Sequence, residues 1–213
     1  VTEDNADLSR LPVPTHAELD GGPYFDAGVV ITKDPETGIR NTSIQRFQVV
    51  GKDRLAINID AGRHLELCLA KAAARTQTLP FTLNIGVGPG LHFAAAVPAE
   101  AAPFGTDELG IASRFNGKPL ELVASNLSPG EMAADAMIAL ECELVPGEVH
   151  PEGPFAEVTG YYASVAPRPL AGSQPSCTLN TMISMRATQK AGSEKPTMLV
   201  AISVLDSQWS GFM

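Results

Sequence analysis

The chain has 213 residues, 44% of them hydrophobic, and its 15 Lys and Arg stand against 24 Asp and Glu for a formal charge of −9. That suits one generous globular domain or two small ones, and scattered basic residues in an acidic chain exclude a nucleic-acid backbone as the partner. No apolar run reaches bilayer length and no signal peptide opens the chain, so a soluble, cytoplasmic protein is expected.

Residues 1–22 are polar and Pro-rich and predict an extended, mostly irregular lead-in, in which His16 near Asp20 reads as a solvated side chain. From Tyr24 the pattern turns β-rich. Asp34-Pro35-Glu36-Thr37-Gly38 has Pro to fix φ early and Gly to supply a positive φ late, which predicts a hairpin of Gly28–Lys33 with Arg40–Val50. On the second strand Asn41, Ser43, Gln45 and Phe47 share one face, and Thr42, Ile44, Arg46 and Gln48 the other. Asn41 and Arg46 therefore diverge unless a bulge intervenes, as it often does beside active sites.

Leu65, Cys68, Leu69 and Ala72 repeat at helical spacing behind Gly62-Arg63-His64 and place His64 at a helix start, where anions are welcome. Leu79–Val87 predicts a buried strand, Gly86–Gly90 a plain turn rather than a phosphate loop, Leu91–Val97 a short helix, and Glu108–Phe115 another. Leu120–Ser125 and Ala133–Val145 predict strands, followed by a long Pro/Gly loop with Glu148, His150, Glu152 and Glu157. Beyond Pro167 only Thr197–Leu205 reads as a strand. Cys68, Cys142 and Cys177 are odd in number and far apart, which predicts reduced thiols rather than a disulfide frame or zinc knuckle.

Three polar groups stand out. Arg46 in an apolar strand is either an arginine with its stem on the core, paired with Asp26 or Asp53, or a planar fork for a carboxylate or phosphate. Glu152 and Glu157 flank the stiff Gly-Pro-Phe-Ala segment; singly they read as surface carboxylates, and beside an arginine they could divide into an ionised partner and a protonated acid. Asn41, His64 and Glu108 form an oxygen/nitrogen set suited to Mg²⁺ or Mn²⁺ rather than structural zinc.

Taken together, DGGPYFDAGVVITKDPETGIRNTSIQRFQVVGKDRL, GRH, LPFTLNIGVGP, DELGIASRFNGKPLELV and EGPFAEVTGYY resemble, in order, the UbiD family of prenylated-flavin-dependent decarboxylases, over roughly residues 8 to 166. The resemblance implies an α+β fold centred on a flavin-binding split β-barrel with flanking helices. It divides the chain into a lead-in (1–22), the flavin domain (23–166) and a divergent segment (167–213). It implies a divalent metal, usually Mn²⁺ with Mg²⁺ as the other choice, on Asn41, His64 and Glu108, with K⁺ as a further candidate ion. Prenylated FMN would touch Ile44, Gln45, Arg46, Asn58, Ile59, Asp60, Arg63 and His64. Arg46, Glu152 and Glu157 would form a Glu–Arg–Glu network that decarboxylates an aromatic or α,β-unsaturated acid reversibly. The chain is shorter than family members and leaves their pattern after Arg168, so a homo-oligomer or partner subunit is expected. A flavin- or phosphate-binding protein without turnover, or one subunit of a larger decarboxylase, is the other reading.

Overall fold

The computed structural model describes residues 7–125 and 129–172, together with the backbone of Asn180–Ser184 and Ala201–Ile202. Strands β1 (Tyr24–Lys33) and β2 (Arg40–Val49) form the expected antiparallel hairpin. Asp34 Oδ1 accepts from the N–H groups of Glu36 and Thr37, and Gly38 takes φ +71°, the left-handed conformation this turn requires of it. The register shifts between Phe25 and Gly28, which face Phe47 and Gln45, so Asp26 and Ala27 together oppose Arg46. The irregularity lies on the strand opposite the arginine, not between Asn41 and Arg46.

Strand β3 (Leu55–Ile57) leads to helix α1 (His64–Ala74), which buries Leu65, Cys68 and Ala72 as their spacing predicts. Strand β4 (Leu79–Ile85) and helices α2 (Pro89–Ala95) and α3 (Glu108–Asn116) follow where expected; Pro89 starts α2, and Gly117 in the left-handed region closes α3. The small hairpin of β5 (Leu122–Ala124) and β6 (Glu131–Ala133) precedes β7 (Ile138–Glu152).

Strand β7 corrects the sequence reading. Pro146 to Glu152 is not a loop: after a kink at Gly147 (φ +86°) the strand continues and pairs with β10 (Ala166–Ala171), Val149 opposite Pro169 and Glu152 opposite Ala166. Proline and glycine mark an interruption of the ladder here, between Leu144 and Val149, and not the strand's end. Between these strands lies a two-residue pairing of β8 (Phe155–Ala156) with β9 (Tyr162–Ala163). Strand β10 also pairs with β3, so β3, β2, β1, β4, β7 and β10 are hydrogen-bonded in a cycle. Strands β11 (Asn180–Ser184) and β12 (Ala201–Ile202) extend from β7; the rest of Thr197–Leu205 lies outside the described residues, as does Cys177.

Strand β1 is buried on both faces. Val30 joins Phe47, Phe81, Leu83, Leu140 and α1 in one core, while Val29 and Ile31 join Leu91, Leu109 and Ala112 of α2 and α3 in another. That explains its near-continuous apolar run. Among the described residues of the lead-in, from Asp7 on, the one helical turn is a 3-10 turn (Leu8–Arg10), and Leu8 and Leu11 are buried in the first core. Cys68 and Cys142 are buried and in no disulfide.

Candidate active site

Arg46 is held between two carboxylates supplied more than a hundred residues later. Its Nε and Nη2 donate to Oε1 and Oε2 of Glu152 at 3.0 and 3.1 Å, and Nη1 donates to Glu157 Oε1. The Phe155 ring covers the guanidinium, 4.9 Å from centroid to carbon, and the Tyr24 ring packs on Phe155 at 4.6 Å. Burial alone would lower the Arg46 pKa, but the bonds and charges of Glu152 and then Glu157 carry it above its ordinary value. The two glutamates differ sharply: the Glu152 side chain is 1% exposed, that of Glu157 41%. Neither Asp26 nor Asp53 is the partner of Arg46.

What holds Glu152 in place comes largely from residues the sequence reading passed over. Gln48, two positions beyond Arg46, accepts from Gly153 N–H at 3.1 Å and donates to Gly21 O at 2.8 Å. Gly21 N–H donates to Pro154 O at 2.8 Å, and Asp20 Oδ1 accepts from Ala156 N–H at 2.9 Å. The lead-in thus clasps the segment between the two glutamates. His16 is not simply solvated: Nε2 lies 3.1 Å from Tyr24 O and its ring is edge-on to Phe155. The Tyr24 hydroxyl is buried without a hydrogen bond of standard geometry, near enough to Glu152 that burial first, and that carboxylate second, raise its pKa well above the ordinary phenol value. The DGG tripeptide and the same-face position of Gln48 were the available signals.

A second cluster forms where β2, α1 and α3 meet. Asn41 Nδ2 donates to Glu108 Oε1 at 3.1 Å and lies 3.4 Å from His64 Nδ1, which is itself 3.4 Å from Glu108 Oε1. Thr42 N–H donates to Glu108 Oε2 at 3.1 Å. Asn41 and Glu108 are buried, and burial raises the Glu108 pKa against the bonds it receives. Asn41 Oδ1 is buried with no partner. An orphaned amide oxygen beside a carboxylate and an imidazole nitrogen is the donor set of a hard or borderline cation, so these residues fit a divalent metal.

The residues expected at the flavin lie around these clusters. Ile44 is half-buried against the second core, Gln45 Nε2 donates to Ser43 Oγ at 3.2 Å, and Asn58 N–H donates to Arg46 O at 3.2 Å. Asn58 Oδ1 is a further buried oxygen without a partner. Ile59 buries its side chain in the core and its carbonyl accepts from Arg168 Nη1 at 3.3 Å, and Asp60 and Arg63 are exposed at the entry to α1. A cavity of about 550 Å³ lined by Lys33, Asp34, Gln77 and Glu131 contains none of these residues. No helix among the described residues is long and apolar enough to cross a membrane.

A mixed α/β domain whose cyclic sheet joins a buried arginine–carboxylate network to an oxygen/nitrogen donor set has the groups to meet an anion and a hard cation. Residues 1–182 match the 3-octaprenyl-4-hydroxybenzoate carboxy-lyase Rift-related domain, and the chain belongs to the UbiD family. It is 75% identical over 170 residues to an uncharacterised protein encoded in the cooM 5′ region of Rhodospirillum rubrum, covering 80% of this chain and 37% of that protein. It is 40% identical over 165 residues to the anhydromevalonate phosphate decarboxylase of Methanothermobacter thermautotrophicus, covering 78% and 38%. Its fold matches an evolved dimeric form of the UbiD-class enzyme HmfF from Pelotomaculum thermopropionicum in complex with prFMN, with a TM-score of 0.79 and 40% identity over 86% of this chain and 42% of that one. The chain therefore spans about two fifths of the length of these relatives.

Proposed function

We propose that this chain is the flavin domain of a non-oxidative, reversible carboxy-lyase for an aromatic or α,β-unsaturated acid, working with prenylated FMN and a divalent metal, Mn²⁺ before Mg²⁺. The observation that carries this reading is the fork of Arg46 on Glu152 with Glu157 on its remaining nitrogen. In this reading the cyclic sheet and its helices are a split β-barrel. Asn41, His64 and Glu108 hold the metal, with K⁺ a further ion, and Ile44, Gln45, Arg46, Asn58, Ile59, Asp60, Arg63 and His64 line the flavin. The enzyme is cytoplasmic and works as a homo-oligomer or with a partner subunit.

The flavin, when bound, supplies the electron sink for the carbon that loses CO₂. The chain's own residues position the acid and manage one proton. Both oxygens of Glu152 are committed to Nε and Nη2, so a substrate carboxylate competes for Nη1, and Glu157 is the partner it displaces. Glu157 freed from the guanidinium is the carboxyl that faces the bound acid and serves as its proton donor. As the carbon–carboxylate bond breaks and CO₂ leaves, a proton that the solvent-exposed Glu157 has taken from water passes from its carboxyl to the carbon left behind, and Glu157 ends as a carboxylate. Phe155 and Tyr24 keep water from the Arg46–Glu152 side, where the ion pair is strongest when dry.

Small molecules released after co-production with a flavin prenyltransferase and Mn²⁺ are expected to include prenylated FMN with stoichiometric metal. Glu157→Gln is expected to abolish CO₂ release with flavin still bound, whereas Glu108→Ala weakens flavin and metal together; turnover surviving in Glu157→Gln would remove Glu157 as the acid. The second reading, a flavin- or phosphate-ligand-binding protein or one subunit of a larger decarboxylase, draws on the two-fifths share of its relatives that the chain spans. It predicts the Glu108→Ala effect with no activity to lose.

A further inference from the structure

Two of the three metal-type ligands, Asn41 and Glu108, each follow a charged residue, and those two residues are bonded to each other. Arg40 precedes Asn41 on β2, and Asp107 precedes Glu108 on α3. Arg40 Nε and Nη2 reach Asp107 Oδ2 at 2.9 and 2.8 Å. The other oxygen of Asp107 caps α3, accepting from Leu109 N–H at 3.1 Å. One carboxylate therefore starts the helix that presents Glu108 and fastens that helix to the strand that presents Asn41.

We propose that Arg40 and Asp107 are positioning residues for cation binding: their ion pair sets the distance between Asn41 and Glu108 and so keeps Asn41 Oδ1, Glu108 Oε1 and His64 Nδ1 convergent. This rests on the metal reading of that cluster, to which the partnerless Asn41 Oδ1 points independently. The Arg40 and Asp107 side chains are 33% and 34% exposed, and ion pairs in such surroundings add little to stability. Geometry is then their main consequence: α3 is only nine residues long, and its first turn is where Thr42 N–H and Asn41 Nδ2 grip Glu108. Glu131 also faces Arg40, with Oε2 3.4 Å from Nη1, but it is shared with Lys33 Nζ at 3.2 Å and so joins the start of β2 to β1 and β6 rather than to α3.

The sign of the effect separates positioning from plain electrostatics. Removing a cation near a metal site strengthens metal binding by Coulomb's law, whereas removing a support of the ligands weakens it, typically by about 10- to 100-fold. The test is titration of the whole chain with Mn²⁺ in the presence of FMN, followed by the electron paramagnetic resonance of free Mn²⁺, with Tm measured on each variant. Arg40→Gln is expected to weaken Mn²⁺ about 10-fold or more, and Arg40→Lys, which keeps the charge but not the fork, to recover part of that loss. Asp107→Asn keeps an N-capping oxygen and gives up the anion, so it is expected to weaken Mn²⁺ comparably with little change in Tm. Combined with Arg40→Gln it should cost no more than the worse single change, since one contact is lost in either case.

Mn²⁺ binding at wild-type strength or tighter in Arg40→Gln would overturn the tether. Should that variant fail to fold, Arg40→Lys decides, since it keeps the charge and loses only the fork, unaltered affinity again overturning the proposal. A wild-type chain that binds no Mn²⁺ at all would overturn the metal reading and the tether together, an outcome distinct from unaltered variants of a binding wild type.

Discussion

Arg46 and Glu152 illustrate why a buried ion pair is costly to break from one side. Glu152 is 0% exposed, and both of its oxygens depend on a single guanidinium. Arg46→Met strands that carboxylate, and the expected loss is about 3–5 kcal/mol of folding stability by urea denaturation. Replacing both, Arg46→Met with Glu152→Leu, removes the stranded charge and is expected to return most of that stability while activity stays absent. A double variant as unstable as Arg46→Met would mean that the network's packing, not its charge, supplies the stability. Glu157 behaves differently because its side chain is 41% exposed: Glu157→Gln is expected to change stability by less than about 1 kcal/mol, so its effect is read on turnover and not on folding. The pairing of Arg46 with Glu152 and Glu157 was legible from their types and from the family pattern. The asymmetry between the two glutamates was not, because burial of a carboxylate near a Pro/Gly turn depends on what the distant lead-in places over it.

At the scale of elements, periodicity located β1, β2, α1, β4, α2 and α3 within a few residues, since each has a clear apolar repeat bounded by a Gly or Pro turn. It failed at β7, where Pro146, Gly147, Pro151 and Gly153 look like a loop. Their tolerance comes from pairing with β10, itself carrying Pro167 and Pro169, a long-range match that no local pattern reveals. The lead-in failed for a related reason: its polar, Pro-rich residues are irregular in conformation yet bonded to the Glu152 turn. Gly21 is where this clasp is tightest, because a Cβ there would overlap the carbonyl of Gly153 and meet Gln48 Nε2 at 2.8 Å. Gly21→Ala is therefore expected to push the two segments apart, costing about 1–3 kcal/mol in stability and lowering kcat by displacing Glu152 from Arg46. Gly38→Ala, which meets no neighbour but puts an alanine at φ +71°, serves as the comparison and is expected to lower Tm with little change in kcat. Equal loss of kcat in the two variants would remove the clasp from the account of the site.

Across the whole molecule, one polar network ties the β1–β2 turn to α1 and reaches the metal-type cluster. Asp34 Oδ2 accepts from Lys71 Nζ at 2.7 Å, Lys71 also reaches Glu36 at 3.0 Å, and Arg75 reaches Glu36 at 3.6 Å. Lys71 lies over the Phe104 ring at 4.7 Å, and that ring is edge-on to His64 at 5.3 Å. Burial of Asp34 opposes its ionisation, but the bonds from Lys71, Glu36 N–H and Thr37 N–H outweigh it and hold the carboxyl below its ordinary value. A depressed folded-state pKa means stability that is present above the unfolded value, about 4 for aspartate, and lost as pH falls through the lower folded value. Lys71 is raised above its ordinary value, chiefly by its bond to Asp34, so its share is present below about 10 and lost as pH rises through the raised folded value. The two signs together define a plateau. The Tm difference between wild type and Asp34→Asn is expected to be constant from about pH 5 to pH 9, to shrink below about pH 4, and to shrink again in strong alkali. A difference that persists undiminished at low pH would assign the role of Asp34 to its turn hydrogen bonds, which asparagine cannot fully copy, rather than to its charge. Because His64 leans on Phe104, the same variant is also expected to loosen Mn²⁺ binding at neutral pH by a few-fold, less than loss of any direct ligand.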